Sequence, residues 1–260
     1  MTANDAVLDV RDLRAGYGSS VVLDGLSLRM GVESVAVLGR NGMGKTTLCD
    51  TLVGFLAASG GEVRLAGRRV DGLAPEAVAN AGIAYVPQGR RLFPSLTVDE
   101  HLAMLARRAR GKRWTPDAVY ELFPRLAQRR HHGGAALSGG EQQMLAVGRA
   151  LLLNTPLVVM DEPSEGLAPT IVDVLVDVVH QLVAEGVAVL VVEQNLRAAV
   201  RLADRQLVMV SGRIEAEFTG AELVDRPELQ HRYLGVGTSP APAGITAGNK
   251  REDGSDHDTA

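Results

Sequence analysis

The segment GRNGMGKT, residues 39–46, has the residue types and spacing of a loop that binds phosphate groups. It follows an apolar strand pattern and precedes a helical one, so its glycines can turn backbone N–H groups toward phosphate oxygens beside a positive helix end. We expect Lys45 to reach the β- and γ-phosphates of a nucleoside triphosphate and the Thr46 hydroxyl to bind Mg²⁺. A glycine-rich turn with an exposed lysine is the alternative. The predicted nucleotide contacts in this segment are Gly39, Arg40, Asn41, Gly42, Gly44, Lys45, Thr46 and Thr47.

A second apolar strand pattern, LVVMDE, ends in Asp161 and Glu162. An unpaired buried carboxylate is costly, so two of them at a strand end indicate a cation or hydrogen-bond donors nearby. Asp161 is suited to hold Mg²⁺ through its water shell, and Glu162 to polarise an attacking water as the catalytic base. A strand end that is simply solvated is the alternative.

The segment LSGGEQQ, residues 137–143, predicts a helix that begins beside Ser138. Ser138 and Glu141 have the spacing of a capping box, which needs no glycine. Gly139 and Gly140 cost about 1 kcal/mol each relative to alanine in a helix, so their presence indicates that an anion approaches the backbone closely. Because the chain already has a phosphate loop, this second helix end predicts a site shared between two chains.

A third apolar run, residues 187–192, is followed at once by Glu193, Gln194 and Asn195. The side chain of Gln194 or Asn195 could cap the helical pattern LRAAVRLA that comes next. Alternatively, Gln194 takes part in the chemistry that the other strand ends predict.

Strand and helix patterns alternate around these motifs. Short strands are expected within residues 7–38, and a helix after Gly44 should bury Phe55. Threonine N-caps begin two helical patterns between residues 97 and 123. From residue 156 to residue 210 strands and helices alternate, which predicts an α/β fold with a doubly wound parallel sheet.

The composition is that of a globular protein with an aliphatic core. Of the 260 residues 46% are hydrophobic, 22% are charged and 3% are aromatic, and the net charge is −4. This charge argues against a generally nucleic-acid-binding surface, and the single cysteine excludes an internal disulfide. The acidic N-terminus has no signal-peptide pattern, and no apolar run has the length of about 20 residues that spans a bilayer. Residues 237–260 are expected to be a disordered polar tail.

The phosphate loop, LSGGEQQ and VVMDE, in this order and at these separations, resemble the ATP-binding subunit of an ABC transporter. The resemblance covers the chain from about residue 7 to residue 234. It implies a single ABC ATPase domain over residues 1–236, with a P-loop NTPase core and a parallel sheet. It also implies an N-terminal antiparallel β subdomain and a helical signature subdomain over about residues 90–135.

The resemblance assigns roles to residues outside these motifs. Tyr17 corresponds to the aromatic residue that stacks on adenine, although an ordinary turn tyrosine is the alternative. Gln88 corresponds to the glutamine that senses Mg²⁺ and water, although it could be a plain strand-end polar residue. The surface from Gln88 to Leu96, with the apolar side chains of Leu92 and Phe93, would contact a cytosolic helix of the membrane subunits. Ser138, Gly139 and Gly140 would contact the nucleotide bound by a second ATPase chain.

A closer resemblance is carried by VPQGRRLFPSLTVDEHL, DEPSEGLAP and VEQN, which are similar to an ATPase subunit of branched-chain amino acid importers. Relatives that serve urea and short amides are the alternative. The resemblance implies ATP and Mg²⁺ as cofactors and ATP hydrolysis coupled to import. The implied partners are a second ATPase subunit, identical or different, transmembrane permease subunits and, indirectly, a solute-binding protein. The implied location is peripheral, on the cytoplasmic side of the membrane.

Two positions depart from the superfamily pattern. Gln194 lies where most members have a histidine that contacts the γ-phosphate, and a glutamine amide can donate a hydrogen bond but does not titrate near neutrality. We therefore hypothesise that Gln194 orients the γ-phosphate and that Glu162 alone acts as the base. Ala168 lies where many members have an aspartate facing the partner subunit, which is compatible with two unequal sites in a heterodimer.

Two other functions compete with this one. Ten of the 27 basic residues lie between residues 90 and 130, against four acids, which could indicate a soluble ABC ATPase that acts on nucleic acid. The chain has one phosphate loop and no sustained heptads, whereas such ATPases usually have two cassettes or long coiled coils. A regulatory subunit with little turnover is the third reading, and the intact Lys45, Asp161 and Glu162 weigh against it.

Overall fold

The computed structural model describes residues 6–107 and 113–234, so the predicted tail over residues 237–260 lies outside the described residues. The strands are β1 (Leu8–Tyr17), β2 (Ser20–Met30), β3 (Ser34–Leu38), β4 (Gly60–Leu65), β5 (Arg68–Arg69), β6 (Ile83–Val86), β7 (Leu157–Asp161), β8 (Ala188–Glu193), β9 (Arg205–Val210) and β10 (Arg213–Thr219). The helices are α1 (Lys45–Leu52), α2 (Pro75–Ala81), α3 (Val98–Ala106), α4 (Pro116–Leu122), α5 (Pro124–Gln128), α6 (Gly139–Leu151), α7 (Pro169–Ala184), α8 (Leu196–Leu202), α9 (Gly220–Asp225) and α10 (Pro227–Leu234). A short 3-10 helix, Gly134–Ala136, precedes α6.

The central sheet has six strands in the order β10-β9-β3-β8-β7-β6. Strands β9, β3, β8, β7 and β6 run parallel to one another, and β10 pairs with β9 in the antiparallel sense. Every residue of β7 and β8 is buried, as expected for parallel strands that helices cover on both faces. In the register of the sheet Leu38 lies opposite Glu193, and Asp161 lies opposite Val192. The three strands that precede the predicted site segments therefore end at the same edge.

The second sheet is antiparallel, with the order β2-β1-β4-β5. Its apolar residues share one core with α1 and one face of the central sheet, and this core contains Leu23, Leu48 and Val159. A second core, which includes Leu102, Leu145 and Leu175, joins the other face of the central sheet to α3, α4, α6 and α7. The phosphate loop therefore lies between β3 and a helix whose buried face is fixed by both sheets.

Most element predictions agree with the structure, and the exceptions have local causes. Thr97, Thr115 and Ser138 accept hydrogen bonds as the N-caps of α3, α4 and α6. The predicted burial of Phe55 is wrong, because α1 ends at Leu52 and Phe55 is 55% exposed. Strand β10 and the helices α2, α5, α9 and α10 were not anticipated. Within the described residues no helix is long and apolar enough to cross a membrane.

Candidate functional site

The phosphate loop runs from the end of β3 to the start of α1. Gly42 and Gly44 have φ angles of 80° and 101°, in the left-handed region that favours glycine. A Cβ atom on Gly39 would lie 2.9 Å from the carbonyl oxygen of Met209, so this position also requires glycine for close packing. The loop therefore has the backbone freedom that phosphate-binding N–H groups require.

Lys45, the first residue of α1, lies inside this loop. Its side chain is 5% exposed, and its Nζ atom lies 3.2 Å from the carbonyl oxygen of Arg40 and 3.4 Å from Oε1 of Glu162. Thr46 is exposed, and Thr47 is buried within α1. The ammonium group of Lys45 thus connects the phosphate loop to the acidic end of β7.

Asp161 is buried beside the phosphate loop, with 1% of its surface exposed. Its Oδ2 atom accepts a hydrogen bond of 3.4 Å from the Tyr85 hydroxyl, and the nearby Thr46 side chain favours the ionised form of its carboxylate. Burial, with a smaller contribution from the charge of Glu162, raises the pKa of Asp161 to about 6. Among the described residues no group donates a hydrogen bond to its buried Oδ1 atom. A buried carboxylate oxygen without a donor is a fitting ligand for a divalent cation or its bound water.

The described residues contain no group of three His, Cys, Asp or Glu side chains that could hold a metal ion on its own. A cation beside Asp161 would therefore need further ligands from a bound nucleotide and from water. This arrangement is usual for Mg²⁺, which takes one or two protein ligands together with substrate phosphates. The donor set of Asp161 and the Thr46 hydroxyl fits such an ion.

Glu162 lies at the point where three segments of the chain meet. Its backbone turns with a φ of 46°, and its N–H group donates a hydrogen bond of 2.8 Å to the carbonyl oxygen of Val192. Its carboxylate lies 3.4 Å from Nζ of Lys45 and accepts a hydrogen bond of 3.2 Å from Nε2 of Gln88. The same amide nitrogen donates a hydrogen bond of 3.0 Å to Glu165. Lys45 and Gln88, which are far apart in the sequence, therefore both lie beside the carboxylate of Glu162.

Gln194 follows β8 and directly precedes Asn195, which caps the next helix, α8. Asn195 is the N-cap of α8, and its Oδ1 atom accepts hydrogen bonds from the N–H groups of Arg197 and Ala198. The cap that could have explained Gln194 is therefore made by Asn195, and the side chain of Gln194 is exposed.

Tyr17 is the last residue of β1 and not part of the turn, and it is 53% exposed. It lies close to Asp50 of α1, whose pKa is raised by burial and lowered in part by the Tyr17 hydroxyl. This contact holds the ring near the helix that follows the phosphate loop, with enough exposure for a planar ligand to stack on it.

Ser138, Gly139 and Gly140 of the LSGGEQQ segment differ from one another in their surroundings. Ser138 is exposed and forms a complete capping box with Glu141. A Cβ atom on Gly139 would meet the guanidinium group of Arg90 at 3.3 Å, whereas one on Gly140 would meet Cγ1 of Ile171 at 2.9 Å. Gly140 is therefore also required by packing within the chain. Ser138 is exposed, and Gly139 is half-buried with the end of the Arg90 side chain beside it.

Three residues of the site were missed by sequence reasoning. Tyr85 contacts Asp161, Glu165 contacts Gln88, and the buried Glu193 accepts a hydrogen bond of 3.0 Å from the N–H group of Ser164. Glu193 could have been noticed, since it is a carboxylate at the end of a strand that is apolar throughout. The other two contacts depend on the spatial order of the strands.

A phosphate loop after a central strand, with a buried carboxylate at the end of the neighbouring parallel strand, defines the class of P-loop nucleotide hydrolases. Comparisons with known proteins narrow this class. The sequence profile of the ABC transporter family matches residues 23–165. BraG, a high-affinity branched-chain amino acid transport ATP-binding protein of Pseudomonas aeruginosa, is 43% identical over 228 residues, which are 84% of this chain and 95% of that protein.

LivF of Archaeoglobus fulgidus, a probable branched-chain amino acid transport ATP-binding protein, is 32% identical over 86% of this chain and 97% of its own length. The crystal structure of a nucleotide-free ATP-binding cassette from an ABC transporter superposes with a TM-score of 0.77 at 25% identity, covering 90% of this chain and 100% of that one. The chain therefore belongs to the ABC transporter family, as an ATP-binding subunit. The predicted ABC ATPase fold and the prediction of an ATPase are confirmed.

Proposed function

We propose that this chain hydrolyses ATP to energise an ABC importer of branched-chain amino acids. The observation that carries the mechanism is the meeting of Lys45, Gln88 and Glu162 at the carboxyl edge of the sheet. The substrate is supported by BraG and LivF, whose names specify branched-chain amino acid transport. A related importer of urea or short amides is the alternative.

In this proposal the nucleotide lies along residues 39–47, with its adenine against the exposed ring of Tyr17. The N–H groups of the loop and the ammonium group of Lys45 bind the phosphates. Mg²⁺ would be held by Thr46, by Asp161 and by the side-chain oxygen of Gln88, and it would neutralise charge on the β- and γ-phosphates. The buried, donor-free Oδ1 atom of Asp161 supports this assignment.

Glu162 acts as the general base that takes a proton from the attacking water. Its position between Lys45 and Gln88 keeps the carboxylate at the end of the phosphate loop. Gln194 orients the γ-phosphate through its amide, which the asparagine cap of α8 leaves available. The bound phosphates would draw the ammonium group of Lys45 away from Glu162 and leave that carboxylate free to accept a proton.

The site is completed by a second ATPase subunit, identical to this chain or different from it. Ser138, Gly139 and Gly140 would contact the γ-phosphate bound by that partner, and the exposure of Ser138 supports this. The γ-phosphate then supplies the differential affinity that favours the closed dimer, and hydrolysis releases it.

The transmembrane permease subunits would dock on the surface that follows Gln88, where Phe93 is 49% exposed. The chain would therefore be peripheral, on the cytoplasmic side of the membrane, and a solute-binding protein would act on it only indirectly. No nucleic-acid partner is included, because the exposed Arg130 is paired with Asp99 and Arg129 is paired with Glu141.

The test is uptake of labelled leucine, with labelled urea measured in parallel, in host cells from which the gene for this chain is deleted. We expect deletion to abolish high-affinity leucine uptake, the parent chain to restore it, and the Glu162→Gln variant to fail at equal expression. Leucine uptake that survives deletion, or loss of urea uptake alone, would contradict the proposed substrate.

A further inference from the structure

Glu193 is a buried carboxylate that connects two loops of the proposed site. It is the last residue of β8 and 2% exposed. Its Oε1 atom accepts a hydrogen bond of 3.0 Å from the N–H group of Ser164, and its Oε2 atom accepts one of 3.4 Å from the N–H group of Asn195. The two oxygens are thus used by two different segments.

These two segments carry the groups to which the proposed function assigns chemistry. Ser164 lies two residues after Glu162, and Asn195 follows Gln194 directly. The backbone of Glu193 contributes as well, because its carbonyl oxygen accepts a hydrogen bond of 3.4 Å from the N–H group of Gly39 at the start of the phosphate loop. Three loops of the site therefore meet at one residue.

A carboxylate is a costly choice for this position. Burial raises the pKa of Glu193, with a smaller contribution from the charge of Glu162, which means that the surroundings disfavour its ionised form. An apolar side chain would avoid this cost but would leave the N–H groups of Ser164 and Asn195 without their acceptor. The carboxylate offers one acceptor oxygen to each N–H group, whereas a glutamine amide would place an NH₂ group opposite one of them.

We propose that Glu193 is a positioning residue for ATP hydrolysis. Its two carboxylate oxygens hold the loop over residues 162–168 and the segment over residues 194–195 in one relative arrangement, so that Glu162 and Gln194 face the same γ-phosphate. The role in hydrolysis rests on the proposed function, whereas the connection between the loops does not.

The test compares the full-length parent with the Glu193→Gln variant, which keeps the size of the side chain but replaces one acceptor oxygen by an NH₂ group. Hydrogen exchange is measured without nucleotide, and we expect about tenfold faster exchange in peptides that cover residues 162–168 and 194–198, since a hydrogen bond to a charged group is lost. ATP turnover is measured with Mg²⁺. We expect kcat to fall about tenfold and KM for ATP to stay within about twofold, because the contact to Gly39 uses the backbone of Glu193.

Val191→Ala is the matched control, because Val191 is fully buried on the same strand and touches neither loop through a polar group. It should lower overall stability without changing exchange in the two loops selectively. Parental exchange and kcat in Glu193→Gln would overturn the proposal, and so would the same loop-selective changes in Val191→Ala. If the parent hydrolyses ATP and Glu162→Gln does not, the proposed hydrolytic site stands whatever Glu193 does. If the parent does not hydrolyse ATP, exchange alone decides whether Glu193 connects the loops.

Discussion

Asp161 and Glu162 are adjacent in the chain, yet their side chains have different surroundings. Asp161 is buried against Thr46 and Tyr85, with one oxygen that lacks a donor among the described residues. The carboxylate of Glu162 instead lies between the ammonium group of Lys45 and the amide of Gln88. Neighbouring carboxylates in unlike environments can perform unlike tasks. In the proposed function these tasks are cation binding and proton transfer.

The Asp161→Asn variant should be more stable than the parent when neither nucleotide nor metal is bound. The pKa of Asp161 is raised from 3.8 to about 6 in the folded chain, so ionisation of this carboxyl group destabilises the fold. The cost is absent well below pH 4, grows as the pH rises, and is complete above pH 6, where it amounts to about 3 kcal/mol. We expect denaturant unfolding to show that the substitution raises the free energy of unfolding by up to that amount at pH 7.5, and by less at pH 5.

Asp177→Asn is the control for this comparison, because Asp177 is exposed on α7. It should change the free energy of unfolding little at either pH. A loss of stability in Asp161→Asn at pH 7.5 would show that the Asp161 carboxylate is satisfied in the metal-free protein, against the environment described above.

At the scale of elements, the start of α6 combines a strong cap with two glycines. The capping box of Ser138 and Glu141 satisfies N–H groups at this helix end. Gly139 borders the flexible end of Arg90, whereas Gly140 packs against the side chain of Ile171. The two glycines are therefore present for different reasons, and substitution separates them.

Gly140→Ala should lower the free energy of unfolding by roughly 1 to 2 kcal/mol, because the added methyl group meets Ile171. Gly139→Ala should leave stability unchanged or slightly higher, since alanine favours the helix and Arg90 can move aside.

If a partner's phosphate approaches this backbone, Gly139→Ala should nevertheless reduce ATP turnover in the assembled transporter. Denaturant unfolding and turnover of the two variants, measured side by side, check this. Equal stability losses in both would be inconsistent with the packing described, and parental turnover in Gly139→Ala would argue against a shared site.

Much of this element structure could be predicted from the sequence, because local signals decide it. The threonine and serine caps predicted where α3, α4 and α6 begin, and the uninterrupted apolar runs predicted β7 and β8. The interpretation of Gly140 as an anion contact missed its packing against Ile171, because that contact joins two helices that strand β7 separates in the sequence. Phe55 was misplaced because Gly54, with a φ of 80°, lies just beyond the end of α1. The contact between Gln88 and Glu162 could be expected only through the family resemblance.

At the scale of the whole molecule, the strand order brings the residues of the proposed site together at one edge of the central sheet. Strands β3, β8 and β7 are neighbours, so the phosphate loop, Gln194 and Glu162 follow strands that end at one edge. The tip of α6 is held by its own cap, in which Ser138 and Glu141 exchange hydrogen bonds. In the proposed function the phosphate loop binds one nucleotide and, separately, the exposed end of α6 approaches the nucleotide of a partner. Two chains facing each other would complete both nucleotide sites.

The most direct test of this account is ATP turnover by the Glu162→Gln variant in the assembled transporter. The account predicts that turnover falls on the order of 100-fold or more. ATP should stay bound with Mg²⁺ between the two ATPase chains without being hydrolysed. Glu165→Gln is the matched control, since Glu165 is on the same loop and accepts from the same Gln88 amide. It should keep turnover within a few-fold of the parent. Near-parental turnover in Glu162→Gln, or an equal loss in Glu165→Gln, would contradict the account.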